Sequence, residues 1–325
     1  MPTHPAFLLF FVSLASSLFI TASANSWFIA WVGLEVNLLS FIPLALKKKS
    51  AEVALKYFLV QALASVLIIS AVSLTPDTPW SFMVVSVALL LKSGAAPSHQ
   101  WLPAVVEGLS WPLVAVLLTV QKVNPLIVLF FALKASMVSS VLTVYVVCSS
   151  FVGAVGGLTQ TSLRKIMAYS AIAHLSWVLA GLMCGSWGWL AYFGFYSLVL
   201  ISLVVLFNYG QLMTLNDLIT VNSSYLSFVT SVSMMSLGGL PPFTGFVPKF
   251  MLVLQLSETQ YVLLLAPLLA STFISLFMYV RVLLTGGVLS STSSTLGASI
   301  SKVGSTLIFV NLVGLVLPPF AVLLM

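Results

Sequence analysis

Apolar residues run through this chain in blocks of about 20, separated by short polar breaks. A helix needs about 20 residues to cross the hydrocarbon core of a bilayer. The blocks lack the strict alternation of barrel strands, and a spanning segment must satisfy its own backbone hydrogen bonds, which favours helices. The pattern therefore predicts an all-α, polytopic transmembrane fold.

We predict about eleven spans along the chain. Their approximate bounds are 6–24, 26–46, 52–74, 80–97, 112–132, 136–158, 166–184, 188–209, 226–256, 259–284 and 303–323.

Two of these spans contain helix-breaking residues. Gly94 and Pro97 interrupt the fourth span, giving a broken helix over about 80–108, and the run at 238–242 interrupts the ninth, over about 226–256. Spans one to five and spans six to ten form two sets, and each break falls in the fourth span of its set. Because five crossings is an odd number, the second set starts on the opposite face of the membrane and is inverted relative to the first. The sequence thus predicts two inverted five-helix repeats, 1–135 and 136–285, followed by a loop and a C-terminal span, 286–325. This is an arrangement typical of secondary transporters.

Composition and charge agree with a membrane protein. Only 6% of the residues are charged and 60% are hydrophobic, too few charges for a water-soluble surface. The net charge of +6 does not indicate nucleic acid, because the basic residues are scattered at helix ends and within spans. Most loop Lys and Arg residues fall on the side of the N-terminus, with Lys134 alone opposite. The positive-inside rule then places the N-terminus in the matrix or cytoplasm.

Cys148 and Cys184 are the two cysteines of the chain. Two thiols are too few to hold an iron–sulfur cluster by themselves. We expect neither a redox centre nor a disulfide framework here.

Ionisable residues within apolar spans are the candidate functional groups. Glu35, Lys92, Lys122 and Lys249 lie near mid-span or beside a break, where a charge costs roughly 2.5 to 3.5 kcal/mol and usually marks an ion pathway. Lys56 lies about one turn inside its span, so snorkelling to the interface is an alternative to function.

Proton relay is the chemistry that these residues suggest. Burial lowers the pKa of a lysine in general and a nearby carboxylate raises it, so movement of Glu35 relative to a lysine would switch protonation. His174 could pass protons or serve packing through hydrogen bonds, and both alternatives stay open. His99 and Glu107 lie in the polar segment after the fourth span. This segment could act as a plug or could take part in the proton relay, and both alternatives stay open.

Several stretches together resemble one family. They are 31–43 (WVGLEVNLLSFIP), 55–61 (LKYFLVQ), 91–97 (LKSGAAP) with His99 and Trp101, 120–122 (VQK), 163–170 (LRKIMAYS) with His174, and 237–246 (LGGLPPFTGF) with Pro248 and Lys249. In this order they are similar to the subunit 2 family of mitochondrial NADH dehydrogenase (complex I), in its shortened animal form.

The resemblance implies an antiporter-like subunit of the membrane arm of proton-pumping NADH:ubiquinone oxidoreductase, in the mitochondrial inner membrane. By the resemblance, Glu35 and Lys56 form a coupling pair, Lys92 is the central relay lysine, Lys122 links onward and Lys249 ends the path. NADH, FMN, iron–sulfur clusters and ubiquinone would belong to other subunits. The implied partners are other membrane-arm and supernumerary subunits, phospholipids, protons and internal water.

One position departs from the family pattern. The family usually has an acidic residue after the Trp-x-Pro at 101–103, where this chain has Ala104, and Glu107 takes a place usually held by glutamine. Two other functions remain as alternatives: a cation/proton antiporter subunit, which would share the fold and the lysines, and a structural membrane scaffold without transport of its own.

Overall fold

The chain is helical throughout the part that the structure describes. A computed structural model describes residues 5–46, 51–74, 78–133, 136–185, 187–220, 224–241 and 243–289, together with residue 311. Within these ranges there are helices and turns and no β-strand, apart from an isolated antiparallel bridge between Ser162 and Thr214. This confirms the all-α prediction.

The α-helices are numbered α1 to α14 in chain order. They are α1 Pro5–Ala22, α2 Trp27–Ala45, α3 Ala51–Leu74, α4 Pro79–Ser93, α5 Trp101–Gly108, α6 Trp111–Leu118, α7 Val120–Ala132, α8 Ser136–Leu158, α9 Leu163–Met183, α10 Gly188–Gly210, α11 Leu215–Thr220, α12 Ser224–Gly238, α13 Phe246–Ser257 and α14 Leu265–Leu283. A 3-10 helix, Val262–Leu264, precedes α14, and a π-helix, Leu284–Leu289, follows it.

Seven helical stretches of the described residues are long and apolar enough to cross a membrane. They are Trp27–Ala45, Ala51–Leu74, Trp111–Ala132, Met137–Leu158, Leu163–Met183, Gly188–Gly210 and Val262–Gly286. The chain is therefore a multi-pass membrane protein. The eleventh predicted span, 303–323, lies outside the described residues except for Asn311. The loop residues Lys47, Lys48, Lys49, Lys134 and Lys302 also lie outside them. The number of spans stays a prediction.

Local sequence explains where helices begin and end. The Ser26 side chain accepts a hydrogen bond from the Ile29 N–H at the start of α2 (3.4 Å), and Thr78 caps α4 ahead of a proline in the first turn. Gly94 ends α4 in the left-handed region, with φ of 78°. There the Ala95 N–H donates to the Leu90 carbonyl (3.0 Å), the geometry of a Schellman motif.

The fifth predicted span is interrupted, which the sequence reading did not anticipate. The break lies at Thr119, between α6 and α7, where φ and ψ are −115° and −83°. Pro125 has no N–H to donate to the Gln121 carbonyl and its ring crowds that carbonyl. The Thr119 hydroxyl donates to the Ala115 carbonyl (2.7 Å). We refer to this interruption as the Thr119 kink.

The chain forms two compact units, Met1–Tyr145 and Val146–Met325. In the first unit α1, α2, α3 and α4 pack each on the next, and α7 packs against α1, α2 and α4. In the second unit α10 packs against α9, α12 and α13, and α14 packs against α9 and α12. The boundaries predicted from the repeat pattern, 1–135 and 136–285, stay predictions.

Candidate functional site

Lys92 lies at the end of α4, directly before the helix break of the first unit. Its side chain is buried at 6% exposure. Two neighbouring side chains donate hydrogen bonds to backbone carbonyls at this helix end. Gln61 Nε2 donates to the Lys92 carbonyl (3.1 Å), and Trp101 Nε1 donates to the Leu91 carbonyl (3.1 Å). The break is therefore held by specific hydrogen bonds from α3 and α5 and places a lysine in the protein interior.

Lys122 lies one turn beyond the Thr119 kink, in α7. It is buried at 3% exposure, and its N–H donates to the Thr119 carbonyl three residues earlier (3.0 Å). Both lysines that are buried in the described part of this unit thus stand beside an irregular stretch of helix. The sequence reading found the irregularity at Gly94 and missed the one at Thr119.

Lys92 and Lys122 line the same internal cavity. Its volume is about 10 Å³, close to the smallest space that holds one water molecule. Residues of α2 to α7 form its wall: Leu34, Asn37, Leu38, Tyr57, Gln61, Lys92, Ser93, Trp101, Leu102, Leu117, Gln121, Lys122 and Pro125. The structure thus brings together two lysines that lie 30 positions apart in the sequence.

Uncharged polar side chains of this cavity were missed as site residues by sequence reasoning. The Tyr57 hydroxyl donates to Gln121 Oε1 (2.9 Å). Gln121 Nε2 and Asn37 Oδ1 are buried without a protein hydrogen-bond partner. In the sequence they are recognisable only as amide residues within apolar spans. Many such residues have all their hydrogen bonds satisfied, so the sequence does not single these two out.

Glu35 lies in α2, half-buried, near the lysine cavity. The Ser65 hydroxyl approaches its Oε1 at 3.4 Å, whereas its Oε2 is buried without a hydrogen-bond partner. The carboxylate lies within electrostatic range of Lys92. Glu35 is thus an acidic side chain close enough to Lys92 to interact with it electrostatically.

Lys56 is placed differently from the other lysines. It is exposed on α3, and its Nζ lies 2.6 Å from the Glu52 carboxylate one turn earlier. Among the described residues no ion pair joins Lys56 to Glu35. The pairing of Glu35 with Lys56 stays a prediction.

The α5 segment carries the residues at which the family pattern is broken. Ala104 and Glu107 both lie on the exposed side of α5 and are absent from the wall of the lysine cavity. His99 is half-buried, and its Nδ1 lies 3.1 Å from the Pro97 carbonyl.

The second unit places Lys249 at its own helix break. α12 ends at Gly238, Gly239 has φ of 73°, and Lys249 lies in the first turn of α13. The Lys249 ammonium donates to the Gly238 carbonyl (2.7 Å). A Cβ at Gly239 would lie 2.8 to 2.9 Å from the Cδ, Cε and Nζ of Lys249. Glycine at 239 is therefore needed for both the backbone turn and the lysine stem.

A buried asparagine, Asn311, bonds to residues on both sides of the same helix break and approaches α10. Asn311 Nδ2 donates to Ser233 Oγ (3.1 Å) and approaches Ser202 Oγ at 3.4 Å, while Ser236 Oγ donates to Asn311 Oδ1 (2.8 Å). The Thr244 N–H donates to the Asn311 carbonyl (3.1 Å). Sequence reasoning gave this asparagine no role.

His174 lies in α9 of the second unit, among aromatic residues. Its Nδ1 is 2.9 Å from the Tyr192 hydroxyl, and its ring centroid is 4.8 Å from that of Tyr196. The side chain is buried at 6% exposure. The tyrosine contact supplies the hydrogen bond that a packing role requires, and a relay role stays a prediction.

The apolar spans and the lysines beside interrupted helices define an antiporter-like, multi-pass helical membrane protein. The profile of the family described as NADH:quinone oxidoreductase/Mrp antiporter, TM, matches residues 74–275. NADH-ubiquinone oxidoreductase chain 2 of Anopheles gambiae is 37% identical over 288 residues, which cover 84% of this chain and 83% of that protein. The chain therefore belongs to the NADH:quinone oxidoreductase/Mrp antiporter family, among the NADH-ubiquinone oxidoreductase chain 2 proteins. This confirms the resemblance found in the sequence motifs.

Solved structures show the same fold. A chain of respiratory complex I from Thermus thermophilus, with bound aureothin, superposes with a TM-score of 0.81 at 23% identity, covering 99% of this chain and 79% of that one. A chain of the Mrp complex from Dietzia sp. superposes with a TM-score of 0.72 at 17% identity, covering 84% of this chain and 59% of that one. Both show that the helical fold of this chain is shared with these membrane-complex chains.

Proposed function

We propose that this chain is a proton-translocating, antiporter-like subunit in the membrane arm of NADH:ubiquinone oxidoreductase. The observation that carries the proposal is that Lys92 and Lys122 line one buried cavity between two interrupted helices. Buried lysines in a membrane protein are costly and usually line an ion path, and interrupted helices give room for water and free backbone groups. The names of the chain 2 relatives supply the identity of the complex.

The proposed relay uses groups on both units. Lys92 is the central lysine, Lys122 passes the proton onward and Lys249 ends the path, while Glu35 modulates Lys92 by its charge. Lys56 takes part in coupling with Glu35. His174 is a further candidate for the relay.

The wider arrangement is also part of the proposal. The chain has about eleven spans in two inverted five-helix repeats, 1–135 and 136–285, and lies in the mitochondrial inner membrane with its N-terminus in the matrix. NADH, FMN, iron–sulfur clusters and ubiquinone are held by other subunits, so this chain contributes to the enzyme as a subunit without a redox centre. Its partners are other membrane-arm and supernumerary subunits, phospholipids, protons and internal water.

The test replaces single lysines in the assembled complex. Lys92→Met and Lys249→Met remove the titratable amine and keep most of the apolar stem. In proteoliposomes, proton uptake driven by NADH oxidation is expected to fall by about a hundredfold or more per assembled complex, the scale of a lost acid–base group. Lys165→Met is the matched control, since Lys165 lies in the first turn of α9. If Lys92→Met and Lys249→Met both pump at the wild-type rate, the lysine relay is excluded and the chain is a structural scaffold.

A cation/proton antiporter is the second candidate. The similarity to the Mrp chain and to the shared family favours it. Sodium-dependent proton exchange by the isolated chain in liposomes would support this function. Co-purification of the chain with NADH:ubiquinone oxidoreductase activity, without sodium-driven exchange, would exclude it.

A further inference from the structure

The cavity between Lys92 and Lys122 has a size that limits what it can hold. Its volume of about 10 Å³ admits one water molecule and no continuous chain of waters. Leucines at 34, 38, 102 and 117 cover much of its wall, so the polar lining is confined to a few groups.

Two amides on the wall have unsatisfied groups of opposite type. Asn37 and Gln121 are 5% and 7% exposed, and neither Asn37 Oδ1 nor Gln121 Nε2 has a protein partner. Gln121 Oε1 accepts the Tyr57 hydroxyl at 2.9 Å, and its NH₂ is the group without a partner. The cavity thus offers one acceptor and one donor. Buried polar groups of this kind in native proteins are usually satisfied by ordered water.

We propose that Asn37 and Gln121 bind a single buried water between Lys92 and Lys122 and act as positioning residues for proton transfer between these lysines. This role rests on the proposed function. A water molecule makes up to four hydrogen bonds. It accepts one from Gln121 Nε2 and one from a lysine ammonium, and it donates one to Asn37 Oδ1 and one to a neutral lysine amine. All four partners are on the wall of the cavity.

The transfer step conserves atoms and charge. An N–H bond of the protonated lysine breaks as an O–H bond forms on the water, and the O–H bond that points to the neutral lysine breaks as its new N–H bond forms. The water is regenerated and one positive charge has moved from one lysine to the other. Tyr57 contributes by holding the Gln121 amide in the orientation that binds the water oxygen.

A high-resolution cryo-EM map of the whole wild-type complex tests the water site directly. We expect one isolated density peak within hydrogen-bonding distance of both Asn37 Oδ1 and Gln121 Nε2. A map of equal quality around ordered waters elsewhere, with no peak here, would overturn the proposal. This measurement does not depend on whether any variant folds.

Asn37→Leu and Gln121→Met test the positioning role, since each removes one amide at similar volume. In the assembled complex, NADH-driven proton uptake is expected to fall about tenfold, as for a lost buried hydrogen bond. The solvent isotope effect in D₂O should rise, because proton transfer becomes limiting, whereas a packing defect would leave it unchanged. Asn124→Leu is the matched control: Asn124 is a buried amide on the same helix, bonded to Thr21 (2.9 Å) and Ser17 (3.1 Å), away from the cavity.

The outcomes separate this proposal from the proposed function. If both amide variants pump at the wild-type rate while Lys92→Met stops pumping, the water site has no positioning role and the lysine relay stands. If Lys92→Met also pumps normally, the relay fails and the positioning role fails with it. If the amide variants do not assemble, the wild-type map decides the water site, and its absence rejects the proposal.

Discussion

At the scale of single residues, Gly239 determines whether Lys249 can reach its acceptor. The lysine stem passes over the glycine, and a methyl group at 239 would overlap its Cδ, Cε and Nζ at 2.8 to 2.9 Å. The left-handed φ of 73° adds a conformational cost of about 1–2 kcal/mol for any other L-residue. We expect Gly239→Ala to displace the ammonium from the Gly238 carbonyl and to reduce proton translocation nearly as much as Lys249→Met.

Two glycine variants separate the causes of that loss. Gly185 also has a positive φ, 67°, but a Cβ there meets no atom within 4 Å, so Gly185→Ala reports backbone strain alone. Gly194→Ala in α10 adds a methyl group to open space at an ordinary φ. NADH-driven proton uptake per assembled complex is the measurement. Equal losses in Gly239→Ala and Gly185→Ala would show that strain, and not the lysine contact, is responsible.

The residues of the candidate site differ in how visible they are in the sequence. Lys92, Lys122 and Lys249 stand out because a charged residue within a membrane span is energetically costly and therefore usually has a function. Asn37 and Gln121 do not, because uncharged polar residues in a membrane helix are commonly satisfied nearby; the Ser17 hydroxyl, for example, donates to the Leu14 carbonyl (2.6 Å). Only the fold shows which amides lack a partner.

At the scale of helices, the Thr119 kink sets the position of Lys122. Pro125 leaves the Gln121 carbonyl, two residues beyond the kink, without its helical donor, which weakens the helix at that point. We expect Pro125→Ala to restore that hydrogen bond, straighten the segment and move Gln121 and Lys122 relative to the cavity. Proton uptake should fall by about tenfold to a hundredfold, as expected when reacting groups are displaced by about 1 Å.

The control for this prediction is Pro43→Ala. Pro43 also lies inside a helix, α2, but it is not on the wall of the lysine cavity. Both variants should assemble, and the thermal stability of the complex should not decrease in either, because each regains a helical hydrogen bond. A Pro125→Ala complex that pumps at the wild-type rate would show that the kink is not needed.

Helix breaks were predictable from the sequence only where the breaking residues are themselves at the break. Gly94 and Gly239 mark their breaks directly, because the left-handed conformation at a helix end favours glycine. The Thr119 kink has no glycine at the break, and the nearest proline is Pro125, six residues later. A proline inside a membrane helix does not always interrupt it, as Pro43 in the continuous helix α2 shows. The short helix α11 was missed because six residues give too little periodicity to detect.

At the scale of the whole molecule, charge asymmetry and the order of the broken helices carry the prediction of topology. Composition was sufficient for the membrane class and the helical fold, since both depend on totals and lengths. The inverted repeat depends on an odd number of crossings in the first half, and a single miscounted span would reverse it. A direct measurement of sidedness therefore tests the prediction independently of any resemblance.

Cysteine labelling of equivalent loops provides that measurement. In a background with Cys148 and Cys184 replaced by alanine, Asn25→Cys introduces a thiol at an exposed position after α1, and Thr161→Cys does so after α8. These loops follow the first span of each predicted repeat, so inversion requires them to face opposite sides of the membrane. A membrane-impermeant maleimide should label only Asn25→Cys in mitoplasts with an intact inner membrane, and only Thr161→Cys in inverted submitochondrial particles. Labelling of both positions from one side would contradict the inverted repeat, and a reversed pattern would contradict a matrix N-terminus while retaining the inversion.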